Sequence, residues 1–186
     1  MRFDEKVDTY IPARYRFGHL RRLMVSLESE TAGSATNLNR PIQQISERLT
    51  KRGMVVLISD LLAPLDDFEK HLGYLTAQGH EVAVFQILDP AEISFDFSEP
   101  ALFQDVESGR ELYIDPETVR SQYQEEFNAH LAEIETICSK LGVGYHRHTT
   151  DQPLEMALGE FLKDRSAASS ANPHRINQQP RKRSSA

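Results

Sequence analysis

The residues best suited to chemistry follow three apolar segments of the sequence. Asp60 comes directly after the run Met54–Ser59, and Asp89 comes directly after the run that ends at Leu88. A third polar group, residues 148–151 with Asp151 at its end, follows the last short apolar segment. Carboxylates in such positions can ligate a divalent cation or cap the turn that follows a strand. A cation site formed by the three aspartates and plain turn capping are therefore competing interpretations.

Other candidate groups give weaker signals. The segment 33–37 contains Thr36 and could present hydroxyl groups to a metal or a phosphate at a helix N-terminus, with helix capping as the alternative. His146 and His148 share one face of a strand and could begin a zinc site. No further cysteine or histidine lies near them at ligand spacing, so we expect both histidines at the surface or the sheet edge. Cys138 lies within an apolar helical stripe, which indicates a core position.

Alternating strand-like and helix-like segments must position these groups. Continuous apolar runs predict buried parallel strands over residues 54–59 and 80–88, each covered on both faces. Residues 143–148 predict a short last strand, residues 2–11 a weak strand at the sheet periphery, and residues 103–114 an inserted hairpin. Amphipathic spacing predicts five helices, at residues 18–30, 38–49, 64–79, 116–142 and 154–162.

This order of elements predicts an α/β fold with an open, mostly parallel, doubly wound sheet and flanking helices. Strands that are separated by single helices are joined by right-handed crossovers, which place helices on the faces of the sheet. Ligands of such sheets bind beyond the carboxyl ends of the strands. Asp60, Asp89 and residues 148–151 all fall at that edge, and chemistry is expected there.

Composition and charge disfavour several functional classes. The chain has 28 acidic and 21 basic residues, and five of the basic residues lie after residue 164, where no acidic residue occurs, so the body before them carries a net charge of −12. An acidic body disfavours nucleic-acid binding. No apolar run reaches the ~20 residues of a membrane span, and no signal peptide is visible, so we expect a cytoplasmic protein without a membrane partner. Residues 165–186 are expected to form a disordered basic tail.

Eight motifs follow one another along residues 1–163. They are Tyr10-Ile-Pro-Ala-Arg14, Gly18-His-Leu-Arg-Arg-Leu23, Thr36-Asn-Leu38, Arg52-Gly-Met-Val-Val-Leu-Ile-Ser-Asp-Leu61, Gly79-His-Glu-Val82, Leu88-Asp-Pro90, Asp105-Val-Glu-Ser-Gly109 and Thr150-Asp-Gln-Pro-Leu154. In this order they resemble a bacterial family, domain-of-unknown-function family 58, whose carboxyl half is similar to a von Willebrand factor type A domain. The resemblance implies a non-catalytic module that binds protein partners, associated with a MoxR-type AAA ATPase in the assembly or maturation of other proteins.

The resemblance also implies a site for Mg²⁺ at the top of the sheet. In von Willebrand factor A domains the ligands are an Asp-x-Ser-x-Ser motif, a threonine from a middle loop and an aspartate after the fourth strand. By motif position, Thr36 matches the threonine and Asp60 matches the aspartate. This chain contains no Asp-x-Ser-x-Ser motif, so the metal-ion-dependent adhesion site is expected to be incomplete.

By the same resemblance, Met1 falls near the end of the family's second strand, so residues 1–164 are expected to form a partial domain that lacks the first strand. In the family that strand lies beside the one matched by residues 54–59. Without it, an apolar strand becomes an unpaired edge, which predicts homo-oligomers through this edge. A metal-assisted hydrolase that uses Asp60, Asp89 and Asp151, and a non-functional truncated remnant, are the alternative hypotheses.

Overall fold

A computed structural model describes residues 1–3, 7–12, 14–29, 38–104 and 109–171. The helices of these residues are α1 (His19–Glu28), α2 (Asn39–Arg48), α3 (Phe68–Ala77), α4 (Pro90–Ser94), α5 (Pro116–Leu141) and α6 (Leu154–Ala171). The strands are β1 (Arg2–Phe3), β2 (Val7–Thr9), β3 (Met54–Ser59), β4 (Glu81–Leu88), β5 (Ala101–Gln104), β6 (Glu111–Ile114) and β7 (Gly144–Thr149).

The main sheet has three parallel strands in the order β3-β4-β7. Leu57 of β3 lies opposite Val84 of β4, which in turn lies opposite Tyr145 of β7. Strand β4 is therefore central, and among the described residues β3 pairs with β4 alone. The structure confirms the predicted α/β fold with parallel strands and flanking helices.

Helices α2, α3 and α5 cover one face of this sheet. Successive strand residues point to opposite faces, so Leu57, Val82 and Val84 share this face and pack in one core with the helices. The buried helix residues of the core recur at spacings of three or four, as an amphipathic helix requires. They are Leu38 and Ile42 before and in α2, Phe68, Leu72 and Leu75 in α3, and Ile134, Ile137 and Cys138 in α5.

Helix α6 covers only part of the other face. The ring of Phe161 meets the rings of Phe85 in β4 and His146 in β7, with centroids 5.3 and 5.5 Å apart. The same face of β3 carries three apolar side chains that stay exposed, namely Met54, Val56 and Ile58 at 40%, 43% and 65%. The prediction that β3 is covered on both faces is wrong, because α6 lies over β4 and β7.

Helix α5 also organises a second cluster at its amino-terminal half. It begins with Asp115, whose Oδ1 accepts a hydrogen bond from the N–H of Glu117 (3.1 Å), and Pro116 occupies the first helical turn. The ring of Tyr123 stacks on Phe95 at 4.3 Å and on Phe127 at 5.6 Å. Hairpin β5-β6 joins this cluster through Phe103, which stacks on Phe95. The predicted hairpin is thus confirmed, with its turn residues 105–108 outside the described part of the chain.

Within residues 2–11, predicted as one strand, the described strands β1 and β2 instead pair antiparallel and apart from the main sheet, with Arg2 opposite Thr9. The Arg2 guanidinium donates hydrogen bonds to the carbonyl oxygens of Ser26 and Ser29, both 2.6 Å away, which ties β1 to α1. At the other end, α6 extends to Ala171, past the residue-164 boundary, and the rest of the predicted tail lies outside the described residues. None of the helices described is both long enough and apolar enough to cross a bilayer.

Candidate functional site

Asp60 lies exposed at the carboxyl end of β3, as predicted. Its Oδ1 accepts hydrogen bonds from the N–H of Leu62 and from the hydroxyl of Ser59, both at 3.3 Å. An aspartate that accepts from the N–H two residues later forms an Asx turn. The carboxylate therefore caps the turn after β3, as the capping interpretation expects.

The residue after Asp60 has an unusual backbone. Leu61 has φ 56°, in the left-handed region, and its side chain is 0% exposed in the main core. The left-handed region costs a residue with a Cβ about 1–2 kcal/mol, while burying a leucine side chain contributes about 1.5–3 kcal/mol. Burial thus offsets the strain. The Leu61 carbonyl oxygen lies 2.6 Å from Nε2 of His130, which anchors the turn to α5.

Gln86 connects the turn after β3 to the far strand of the sheet. It is a fully buried polar residue in the middle of β4. Its Nε2 donates to the carbonyl oxygen of Asp60 at 2.7 Å, and its Oε1 accepts from the hydroxyl of Tyr145 at 2.6 Å. Burial is the largest cause that raises the pKa of Tyr145, so this hydroxyl stays protonated and can donate. Both ends of the Gln86 amide are therefore satisfied.

Asp89 sits one strand away and caps α4. Its Oδ1 accepts from the N–H of Ala91 at 2.8 Å, and its own N–H donates to Oε2 of Glu92 at 2.7 Å, the reciprocal pattern of a capping box. Its other carboxylate oxygen accepts from the hydroxyl of Thr150 at 3.3 Å. Within the same loop, the hydroxyl of Thr149 donates to Asp151. Hydrogen bonds thus join Asp89 to the loop that carries Asp151.

Asp60 takes no part in that group, since its carboxylate bonds only to its own turn in the contacts described. Across the described ranges, no three His, Cys, Asp or Glu side chains come together in a way that could hold a metal ion. A Mg²⁺ ion prefers about six oxygen ligands in near-octahedral geometry, and one capping carboxylate does not fit that requirement. Thr36 lies outside the described residues, so its pairing with Asp60 stays a prediction.

The histidine pair lies on β7, an outer strand of the main sheet among the described residues, so the sheet-edge placement is confirmed and the surface placement is not. His148 is 7% exposed, and the side chain of His146 is 8% exposed, so neither is a surface histidine. Both rings stack on Phe85, with centroids 5.0 Å (His146) and 6.2 Å (His148) away. The histidines are buried at this edge because α6 covers this face of β7. Burial lowers the pKa of His146, and nearby His148 lowers it further, against the opposing effect of Asp164 at 3.8 Å and Glu160.

Because of His146, we expect the folded protein to lose stability in mild acid. Because the pKa of His146 is lowered in the folded state, the unfolded chain binds this proton more readily. Stability from this group should be complete above about pH 6.5, the ordinary histidine value, and fall as the pH drops below it. Urea unfolding at pH 7.5 and 5.5 measures the difference. His146→Phe should keep the stacking on Phe85 and reduce the pH dependence; an unchanged difference between the two pH values would contradict the assignment.

Sequence similarity assigns the chain to a protein family. The family model described as a protein of unknown function, DUF58, matches residues 1–133. The chain belongs to the DUF58 family. The matched region contains Asp60, Gln86 and Asp89, and it ends within α5, before β7. The part of the site on β3 and β4 therefore lies inside the DUF58 match.

Similar proteins come from mycobacteria. An uncharacterized protein of Mycobacterium avium is 30% identical over 146 residues, which are 77% of this chain and 80% of that protein. Uncharacterized proteins of Mycobacterium tuberculosis and Mycobacterium bovis are 28% identical over 162 residues, which are 84% of this chain. The DUF58 chain spans 50% of the length of these two relatives. No solved structure matches it significantly.

Two site residues escaped the sequence reasoning. Gln86 is the one polar residue between Val82 and Leu88. A lone amide side chain inside a buried apolar strand indicates that it has hydrogen-bond partners within the fold. His130 lies on α5, 69 positions from Leu61, and only the packing of α5 against the turn brings the two together. The first could have been found from the pattern, whereas the second could not.

Proposed function

We propose that this DUF58 chain is a non-catalytic, cytoplasmic protein-interaction module of von Willebrand factor A type, which binds a MoxR-type AAA ATPase during assembly or maturation of other proteins. The observation that supports a binding role is a run of uncovered apolar side chains before and along α1. Tyr15 and Phe17 are fully exposed, and Leu20 and Leu27 are 72% and 68% exposed. Contiguous exposed apolar side chains mark surfaces that associate with a partner. We call residues 14–28 the α1 surface.

The α1 surface is also basic, in contrast to the acidic body of the chain. Four exposed arginines alternate with its apolar residues, namely Arg14, Arg16, Arg21 and Arg22. Arginine and aromatic residues are enriched in protein interfaces because they combine large contact area with directed hydrogen bonds. This chemistry favours a protein partner that offers an apolar groove with an acidic rim.

The architecture agrees with the proposed class. A parallel sheet with helices on both faces and Asp60 beyond the end of β3 is the arrangement that a von Willebrand factor A-like module would have. The proposal includes no resident metal ion, because the described side chains at this edge do not fit one. Binding is assigned to the α1 surface and not to the capping aspartates.

We expect charge introduced on the α1 surface to weaken ATPase binding. Phe17→Glu and Leu20→Glu introduce carboxylates at positions whose side chains are fully exposed (Phe17) or 72% exposed (Leu20) in the free chain, so folding should be little changed. If these residues anchor the partner, each substitution should raise the dissociation constant by about tenfold or more. Biolayer interferometry with the MoxR-type ATPase encoded in the same genome measures this.

Leu112→Glu is the matched control. Leu112 is 64% exposed on β6, outside the α1 surface, and its substitution should leave the affinity unchanged. Failure of the unmodified chain to bind the ATPase would overturn the proposal. Equal losses for Phe17→Glu and Leu112→Glu would show that the α1 surface is not the docking site.

A further inference from the structure

Two histidines and two phenylalanines form a layer between α6 and the main sheet. The rings of His146 and His148 on β7 stack on Phe85 of β4, and Phe161 of α6 meets Phe85 and His146 edge-on. We call these four residues the histidine layer. The side chain of His146 is 8% exposed and His148 is 7% exposed. The contact of α6 with the sheet thus includes two side chains of the type whose charge changes near neutral pH.

The histidine layer offers few partners to a positive charge on His146. From β4 this ring meets the uncharged ring of Phe85, and along β7 its neighbour is His148. From α6, Asp164 lies 3.8 Å from Nδ1, too far for a hydrogen bond, and is 73% exposed, while Glu160 acts on the ring electrostatically. Exposed carboxylates are screened by water, so they compensate a buried charge only weakly. Burial is accordingly the largest cause of the lowered pKa of His146.

His148 carries an unpaired atom in the same layer. Its Nε2 is buried and has no hydrogen-bond partner among the described residues. Each nitrogen of an imidazole is either a donor or an acceptor, so a buried ring nitrogen without a partner costs stability. Water can reach this atom when α6 lifts away from β7. The unpaired nitrogen therefore favours opening of the histidine layer whatever the charge of His146.

Lifting α6 would leave the rest of the fold in place. The described main core and second cluster contain residues of the sheet and of the other helices, but none of α6 and none of the histidine layer. Among the described side chains of α6, Ala157 alone is buried. The ion pair of Arg165 with Glu81 (3.0 Å) joins two half-exposed groups and contributes little in water. The contact between α6 and the sheet is therefore suited to open as a local, low-stability unit.

We propose that α6 is a pH-sensitive cover, which neutral His146 keeps seated on β4 and β7 and which protonation of this histidine lifts, while the main core stays folded. The seated state binds the proton less readily than the lifted state, in which the imidazole is in water. Seating should therefore be complete above about pH 6.5, the ordinary histidine value, and weaken as the pH falls below it. Lifting exposes Phe85 and Phe161, which are covered at neutral pH. This inference does not depend on ATPase binding by the α1 surface.

Hydrogen–deuterium exchange of the full chain tests whether α6 lifts by itself. At pH 7.5 the amides of residues 158–164 should exchange at a rate that urea up to about 1.5 M leaves unchanged, because lifting exposes little surface. The amides of residues 127–138 in α5 should be more protected and should lose protection as urea is added, because they exchange through global unfolding. Equal protection and equal urea dependence of the two segments would show that α6 opens only with the whole fold, which would overturn the inference.

The pH dependence tests the histidine. After correction for the intrinsic exchange rate, protection of residues 158–164 should fall about threefold or more between pH 7.5 and 5.5, up to the ~tenfold limit that one histidine sets over this range. His146→Phe should abolish this fall, whereas His71→Gln, on α3 at the opposite face of the sheet, should retain it. Asp164→Asn changes an exposed residue and removes a weak partner of the charged ring, so it should deepen the fall by about twofold. No fall in the unmodified chain, or a fall that persists in His146→Phe, would contradict the proposal.

Discussion

Replacing Gln86 with leucine should lower the free energy of unfolding by about 2–4 kcal/mol, although leucine has a similar volume and is more apolar. The substitution leaves the carbonyl oxygen of Asp60 and the hydroxyl of Tyr145 without the partners that lie 2.7 and 2.6 Å from the amide. Both bonds are half-buried, and a polar group left unpaired away from water costs about 1–3 kcal/mol. Urea unfolding of the full chain at neutral pH gives the difference directly.

A double-mutant cycle separates this cause from simple repacking. Tyr145→Phe alone removes one partner and leaves Oε1 of Gln86 unpaired, so it should cost about 1–2 kcal/mol. The double variant Q86L/Y145F removes both groups of that hydrogen bond and should be less destabilised than the sum of the single variants. Strictly additive effects would show that the hydroxyl–amide bond contributes nothing.

Substitutions at Leu61 should lower the free energy of unfolding by a similar amount, but here glycine should be less destabilising than alanine. Because its side chain is fully buried, Leu61→Ala should lower the free energy of unfolding by about 2–5 kcal/mol through lost burial and the cavity left behind. Leu61→Gly removes one more carbon yet relieves the strain of φ 56°. The glycine variant should therefore be about 1 kcal/mol more stable than the alanine variant.

Leu75 supplies the control for this comparison. It is 1% exposed in the same core but lies within helix α3. There alanine should be about 1 kcal/mol more stable than glycine, the ordinary helical order. Thermal and urea unfolding of the four variants check both orders. If glycine is the worse substitution at both positions, the left-handed backbone at Leu61 is not maintained in solution.

Elements with strong local signals could be predicted from the sequence. The apolar runs at β3 and β4 indicated two parallel strands, and the structure shows them as neighbours in one sheet. Helix α5 was predicted within one residue at each end, because Pro116 and Gly142 are good terminal residues for a helix. Gly142 indeed adopts φ 65° after the last turn. Such signals lie within the element itself, so they specify a strand or a helix whatever that element packs against.

Coverage of a strand could not be predicted in the same way. An apolar run reports that side chains avoid water, but not which helix shields them. The position of α6 leaves Ile58 exposed and buries His148, the reverse of what the residue types suggest. The amino-terminal hairpin shows a similar limit. Strand β1 pairs with β2 and bonds to α1 through Arg2 instead of joining the main sheet, and nothing in its own sequence indicates that choice.

The candidate site was predicted in position but not in its connections. Asp60 and Asp89 lie at the strand ends where parallel-sheet topology puts them. Which of them share hydrogen bonds depends on loops: Thr150 reaches Asp89, whereas Gln86 reaches the backbone of Asp60. A leucine at position 61 carries no sign of a left-handed backbone, since that residue type normally avoids it.

Helix α5 has a consequence for how the molecule loses its structure. Its carboxyl-terminal half packs in the main core through Ile134, Ile137 and Cys138, while Phe127 and Leu131 pack with Leu88 in the second cluster. The helix is continuous through both clusters over 26 residues. Melting of either half shortens the helix on which the other depends, and short isolated helices are marginal in water. The aromatic cluster and the sheet core should therefore unfold as one cooperative unit.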